Sequence, residues 1–229
     1  MFYTETGGPE VLKYSDLPDP APGPGDIVVN VVATALNRLD VMQRNGWFQM
    51  PGFTYPHIAG MDVAGTVREI GTEVTNVSVG DRVMGSIGYG GFAEAANVPS
   101  ANLTPVPDDM DWATAAAFPV AYGTSHVALT YRSHLKSGEV LLVHGAAGGV
   151  GLTAVELGKA MGATVIATAG SDDKVALAKE YGADYGINYS SDDIREKVLG
   201  YTGGADVIYD PVGGDAFKAS LRCINFEGR

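Results

Sequence analysis

The spacing of apolar and polar positions changes character near residue 111. Up to Asp111, apolar residues cluster in short β-type segments, Asp26–Ala33, Val63–Ile70 and Arg82–Met84. Dense turn chemistry separates them: the run Pro18 to Gly25 (PDPAPGPG), Pro51-Gly52, and Gly88 to Gly91 (GYGG). From Trp112 onward the period alternates between strand and helix. An alanine-rich helical segment, Trp112–Leu135, precedes a strand at Val140–Val143. A helix carrying Val150, Ala154, Val155, Leu157 and Met161 comes next. Then follow a strand at Thr164–Thr168, a helix over 172–181, a strand at Tyr185–Ile187, a helix over 191–200, a strand at Asp206–Tyr209 and a last helix at Asp215–Leu221. Strands and helices at this spacing predict an α/β fold with a doubly wound parallel sheet. The pattern divides the chain into a β-rich domain, 1–111, and an α/β domain, 112–229. A complete doubly wound dinucleotide domain has six strands, and this pattern supplies four. A bare parallel edge strand is an aggregation hazard, so the expectation is a fragment of a longer protein, the alternative being a naturally short variant whose edge a partner covers.

The richest stretch is Glu139 to Gly151, EVLLVHGAAGGVG. A buried-type strand breaks into a glycine turn and a helix starts at once. Amide N–H groups at such a helix start have no intrahelical partner, and the helix dipole favours an anion there. The arrangement predicts a dinucleotide cradle formed by Ala146, Gly148, Gly149, Val150 and Gly151. Gly148 leaves room for a pyrophosphate against backbone, and Gly151 allows close helix–strand packing. Ala146 stands where the usual fingerprint has its first glycine.

The end of the second strand selects the cofactor. An acidic residue there binds the adenosine ribose and repels a 2′-phosphate. Here the strand runs into Ala169-Gly170-Ser171, small and neutral, and Lys174 follows one turn into the next helix. Ser171 and Lys174 therefore favour NADP(H) over NAD. The alternative makes Lys174 an ordinary surface lysine paired with Asp172 or Asp173.

A formal net charge of −12 argues against nucleic acid or an anionic membrane as partner. One cysteine, Cys223, excludes an intramolecular disulfide and a multi-cysteine zinc site. The N-terminus MFYTETGGPE has no signal-peptide pattern, and no apolar run reaches membrane-spanning length. A cytoplasmic location is the expectation.

Five segments in order, Gly7 to Leu12 (GGPEVL), Gly60 to Gly65 (GMDVAG), Val79 to Val83 (VGDRV), Ala146 to Gly151 and Asp210 to Gly214 (DPVGG), span essentially the whole chain. In these the sequence resembles the zinc-free quinone oxidoreductase, or zeta-crystallin-like, branch of the medium-chain dehydrogenase/reductase superfamily. The resemblance implies an N-terminal GroES-like β-rich domain and a Rossmann domain, here incomplete, with the active site in the cleft between them. It also implies that roughly the last third of the family's length is missing, and it is compatible with a homodimer.

Zinc alcohol dehydrogenases hold their metal with a Cys, a His–Glu pair and a further Cys. Aligned to that pattern, the positions here are Asn37, Met61 with Asp62, and Val120, which is no zinc set. His57, His126, His134 and His144 lack partners at ligand spacing and read as surface or packing residues. The expectation is metal-free hydride transfer from NADP(H) to a quinone or enone, with the protein supplying orientation and a dry pocket.

The resemblance makes Asn37 and Asp40 the candidate catalytic residues. Asn37 would donate to a developing oxyanion, and Asp40 would position it or a water. The plainer reading is a capping box for the helix that follows. It likewise places Tyr122 and Thr124 by the nicotinamide, with interdomain packing as the alternative. Tyr189 falls at the adenosine phosphate, where a buried strand-end aromatic is the plain reading. Met42, Trp47, Phe48, Met50, Phe53 and Tyr55 line either an apolar cleft for flat conjugated molecules or the core of the small domain. Other readings of the activity are reduction of alkenals or enoyl thioesters, or NADPH binding without turnover, as in a crystallin-like or truncated protein.

Overall fold

The computed structural model describes residues 1–50 and 52–229 and divides into two compact units, Met1–Val120 and Ala121–Arg229. Pro51 of the expected Pro51-Gly52 turn lies outside the described residues.

In the first unit the elements are β1 (Phe2–Tyr3), β2 (Asp26–Ala33), α1 (Arg38–Arg44), β3 (His57–Ile58), β4 (Asp62–Ile70), β5 (Arg82–Ser86), β6 (Ala95–Pro99) and β7 (Leu103–Pro105). Five of the strands form an antiparallel sheet in the order β6-β2-β4-β5-β7, and β1 pairs with β3. Ile27 and Val29 from β2, Val63 and Val67 from β4, Val83 and Val98 close a core on one face. Ala64 and Met84 on neighbouring positions face the other way, against Val106, Ala115 and Ala116. The last two belong to helix α2 (Trp112–His126). Both faces of this sheet are therefore apolar where they are covered. Arg82 lies 4.4 Å over the Trp112 ring. There it can gain cation–π attraction while its guanidinium donates to the carbonyls of Asp108 and Met110.

The expected single helix from Trp112 to Leu135 changes form part-way. After His126 the chain widens into a π-helical stretch, Val127–Arg132. Thr130 and Ser133 return their hydroxyls to the carbonyls of His126 and Leu129, so side chains compete there for the backbone acceptors of a regular helix.

The second unit is a four-stranded parallel sheet of order β10-β9-β8-β11. Its strands are β8 (Val140–Val143), β9 (Thr164–Ala169), β10 (Tyr185–Asn188) and β11 (Val207–Tyr209). Helices α3 (Gly149–Ala160), α4 (Asp172–Glu180), α5 (Ile194–Thr202) and α6 (Asp215–Ser220) connect and follow them. The outer edge of β11 is not bare. The Ala205 N–H donates to the Cys223 carbonyl at 2.9 Å, Asn225 returns a bond to Ala205 at 2.8 Å, and Ile208 donates to the Arg229 carbonyl at 2.8 Å. Residues from Cys223 onward thus run along the edge and satisfy part of it.

Strand β8 is apolar throughout because it is covered on both faces. Leu141 and Val143 belong to one core cluster with Ala154 and Val155 of α3, and Leu142 to another with Ile166, Ile187 and Val198. Leu141→Ala and Leu142→Ala should each cost about 2–5 kcal/mol, by comparable amounts, in urea-unfolding midpoints. A marked loss at only one position would mean that one face of β8 is solvated.

Candidate functional site

The cradle is built from the packing of α3 on the strand ends. Gly145 takes a left-handed backbone, φ +60°, so the turn conformation falls one residue before Ala146. A Cβ at Gly151 would sit 2.3 Å from the Gly145 carbonyl oxygen, and one at Gly158 would sit 2.4 Å from Leu141 Cδ2. Helix α3 therefore lies close on β8, with its N-terminus, capped at Gly148, above the strand ends. Ala146 is fully buried and its N–H is committed to the Thr168 carbonyl at 2.9 Å. It shapes the turn and has no donor left for a phosphate. The donors that helix geometry leaves over are those of Gly149, Val150 and Gly151 in the first turn.

A cleft of about 170 Å³ opens beside this turn, lined by Gly145, Ala147, Gly148, Ala169, Gly170, Lys174 and Tyr189. The structure thus gathers Gly148, Lys174 and Tyr189 around one space. Ser171 stands at its edge as the cap residue of α4. The half-exposed Tyr189 ring covers Gly170: a Cβ there would meet the Tyr189 hydroxyl oxygen at 2.8 Å. Ser190 donates to the Gly170 carbonyl at 2.9 Å, and Asn188 donates to the Asp172 carboxylate at 2.8 Å. Asp172 is thereby engaged by Asn188. Among the described residues no ion pair joins Lys174 to Asp172 or Asp173. The space has neutral walls, one ammonium and a helix N-terminus, a combination suited to a phosphorylated ribose and a diphosphate. Sequence reasoning does not single out Gly145 or Ala147; the available signal at Gly145 is its place between strand and turn.

Tyr122 and Thr124 lie away from this cleft lining. The Tyr122 hydroxyl donates to Glu156 of α3. Burial and the Glu156 carboxylate push its pKa up to about 12. Thr124 is exposed.

In the first unit, Asn37 is the cap residue of α1 and its N–H donates to the Asp40 carboxylate at 2.7 Å. Asn37 and Asp40 form a capping box, so Asp40 fixes the start of the helix. The Asn37 side-chain amide donates to Asp62 at 2.8 Å. Asp62 is fully buried, and burial is the largest cause that lifts its pKa to about 6. The Asn37 bond and the Val120 N–H pull the other way, and the nearby Asp40 adds to the rise. Asp40 is raised too, chiefly by burial, against backbone donors at Asn37 and Gly60. Among the described residues, each acid has one oxygen, Oδ1, without a hydrogen-bond partner.

The expected apolar cluster divides. Phe53 stacks on His57 at 4.2 Å, and Tyr55 meets Phe53 edge-on at 5.1 Å. Tyr3 and Tyr89 flank His57 at 5.1 and 5.0 Å. Trp47 and Phe48 are exposed, at 66% and 40%.

Two family models match the chain: the alcohol dehydrogenase GroES-like domain over residues 23–108, and zinc-binding dehydrogenase over 149–229. The chain is 39% identical to a quinone oxidoreductase of Pseudomonas aeruginosa over 221 residues, covering 95% of this chain and 67% of that protein. The chain belongs to the quinone oxidoreductase branch of the medium-chain dehydrogenase/reductase superfamily. It is also 40% identical to quinone oxidoreductase-like protein 2 of Bos taurus, covering 90% of this chain and 60% of the relative. The crystal structure of Escherichia coli quinone oxidoreductase complexed with NADPH superposes with a TM-score of 0.92 at 32% identity, over 99% of this chain and 70% of that one. The chain thus spans roughly 60 to 70% of the length of these relatives.

A zinc-binding relative would place its metal ligands at Asn37, Met61–Asp62 and Val120. Asn37 and Asp62 are hydrogen-bonded to each other, Met61 is buried and Val120 has no donor side chain. Among the described residues no group of three or more His, Cys, Asp or Glu side chains is arranged to hold a metal. This donor set does not suit zinc. A hydrogen-bonded amide–acid pair stands at two of the metal-ligand positions.

The raised pKa of Asp62 fixes a sign. The folded state keeps a proton that the unfolded chain releases, so this contribution is present at low pH and is lost as pH rises through about 6. Asp62→Asn should therefore gain thermal stability relative to the parent between pH 4.5 and pH 7.5. A constant difference in melting temperature across that range would refute a raised pKa at Asp62.

Proposed function

We propose that this chain binds NADPH through its second unit and serves the metal-free reduction of a quinone or another conjugated carbonyl compound. The observation that carries this reading is the cleft at the end of β9. Its walls at Ala169 and Gly170 carry no acid to repel a 2′-phosphate, and Lys174 lines it without an ion pair to its neighbouring aspartates. The helix N-terminus at Gly149 to Gly151 would take the diphosphate. Tyr189 would lie along the adenosine side, and Ser171 would offer its hydroxyl at the start of α4. When bound, the nicotinamide supplies the hydride.

The chain's own contribution is electrostatic and positional. An amide has two N–H donors, and Asn37 spends one on Asp62. The other suits a substrate oxygen that gains negative charge. Asp62 holds the amide plane, and Asp40 holds the backbone from which the amide projects. Trp47 and Phe48 offer exposed flat apolar surface of the kind that conjugated rings pack against. Enoyl thioesters and alkenals present a similar developing oxyanion, so they belong in the substrate panel beside quinones.

Titration followed by nicotinamide fluorescence should show NADPH binding with a blue shift. Lys174→Ala should weaken NADPH about tenfold while changing NADH little. Equal loss for the two cofactors would remove Lys174 from the 2′-phosphate. In turnover with a panel of quinones and enones, Asn37→Ala should lower kcat by about 10²-fold with the NADPH dissociation constant unchanged. Binding of NADPH without turnover of any substrate would instead make the chain a nucleotide-binding protein.

A further inference from the structure

His144 directly follows β8 and opens the cradle turn; it is fully buried, and no step above uses it. Its backbone N–H pairs with the Tyr209 carbonyl of β11 at 2.9 Å. Both ring nitrogens are engaged: Nδ1 lies 3.0 Å from the Thr168 hydroxyl near the end of β9, and Nε2 lies 2.8 Å from the Ser220 hydroxyl of α6. The Ser220 hydroxyl donates to the Ala216 carbonyl at 2.9 Å. It must therefore accept from the ring, which puts the imidazole proton on Nε2 and leaves Nδ1 to accept from Thr168. One tautomer satisfies every group. Burial holds the imidazole below its ordinary pKa, with Asp210 opposing, so the ring stays neutral and this arrangement persists.

The two residues joined by Nδ1 each precede cleft-lining positions. His144 is followed by Gly145, and Thr168 by Ala169 and Gly170. We propose that His144 is a positioning residue for the cofactor: its bond to Thr168 sets the separation of the turn after β8 from the end of β9, and so the shape of the cleft between Gly145 and Gly170. The Ser220 arm fixes the ring's tautomer and anchors it. Ala146 and Thr168 share a backbone bond on the same line, so the side-chain bond braces a contact already made by the main chain. This assignment rests on the reading of the cleft as an NADPH site.

Two conservative variants separate the arms. Asn at 144 can place its amide oxygen near the Nδ1 position and accept from Thr168, whereas Gln reaches toward Nε2 and can donate to Ser220. Leu keeps bulk and loses both. Thr168→Val is close to isosteric and removes the donor with little change to the buried core. NADPH and NADH affinities are measured by fluorescence titration for the parent, H144N, H144Q, H144L and T168V, with circular dichroism confirming the fold. H144N is expected to bind NADPH within about threefold of the parent, and H144Q, H144L and T168V about tenfold more weakly, with a reduced preference for NADPH over NADH. If H144N binds as weakly as H144L, or if T168V binds like the parent, His144 is a packing residue and the proposal fails. If the parent itself binds no NADPH, the cofactor reading fails first.

Discussion

Helix α3 approaches β8 so closely that a Cβ at two of its glycines would lie within 2.4 Å of a neighbouring atom. At Gly151 the obstacle is the Gly145 carbonyl, and at Gly158 it is Leu141 with Val165 behind it. That approach sets what surrounds it. It seals one face of the parallel sheet, and it brings the partnerless amides of the first helical turn over the strand ends. A side chain at Gly151 would meet fixed backbone and push the helix away, whereas one at Gly158 would first displace the Leu141 side chain. Here the packing of the sheet and the placement of these amides are consequences of a single distance.

The first unit solves a different problem. Around Asn37 this chain buries two carboxylic acids, Asp62, which bonds its side-chain amide, and Asp40, which bonds its backbone N–H. An ionised carboxylate out of water is costly unless donors surround it, and each acid here has an oxygen with no donor among the described residues. The response is a raised pKa at both, so that the buried charge is partly given up. A buried carboxyl that titrates at about 6 makes the electrostatics at Asn37 sensitive to pH.

Much of this was legible from spacing. The alternation of strands and helices after Trp112 follows from apolar periodicity alone, since each strand is buried on two faces and each helix on one. Strands β6 and β7 carry no such signal. Ala95–Pro99 alternates weakly and Leu103–Pro105 is three residues long, so their pairing is decided by partners distant in sequence. The sequence pattern places the helix before β11 over 191–200, whereas α5 begins at Ile194. The cause is local: Asp193 accepts from the Glu196 N–H at 2.7 Å and starts the helix, and Gly203 ends it in a left-handed turn. Gly145 shows the limit of motif reading. The chain reaches its turn one residue before the fingerprint's first position, and only the backbone angle reveals it.

His144 was the least legible residue of consequence. A single histidine after an apolar strand looks like any packing residue, because its partners Thr168 and Ser220 lie 24 and 76 positions away. What distinguishes it is saturation: both nitrogens are used, in a fully buried site. A residue retained only for volume would not need a defined tautomer. The neutral ring also spares the cradle a buried positive charge behind the strand, leaving the helix dipole and Lys174 as the attractions acting on an anion. The bracing behind the turn and the ammonium in front of it thus come from different side chains, His144 and Lys174.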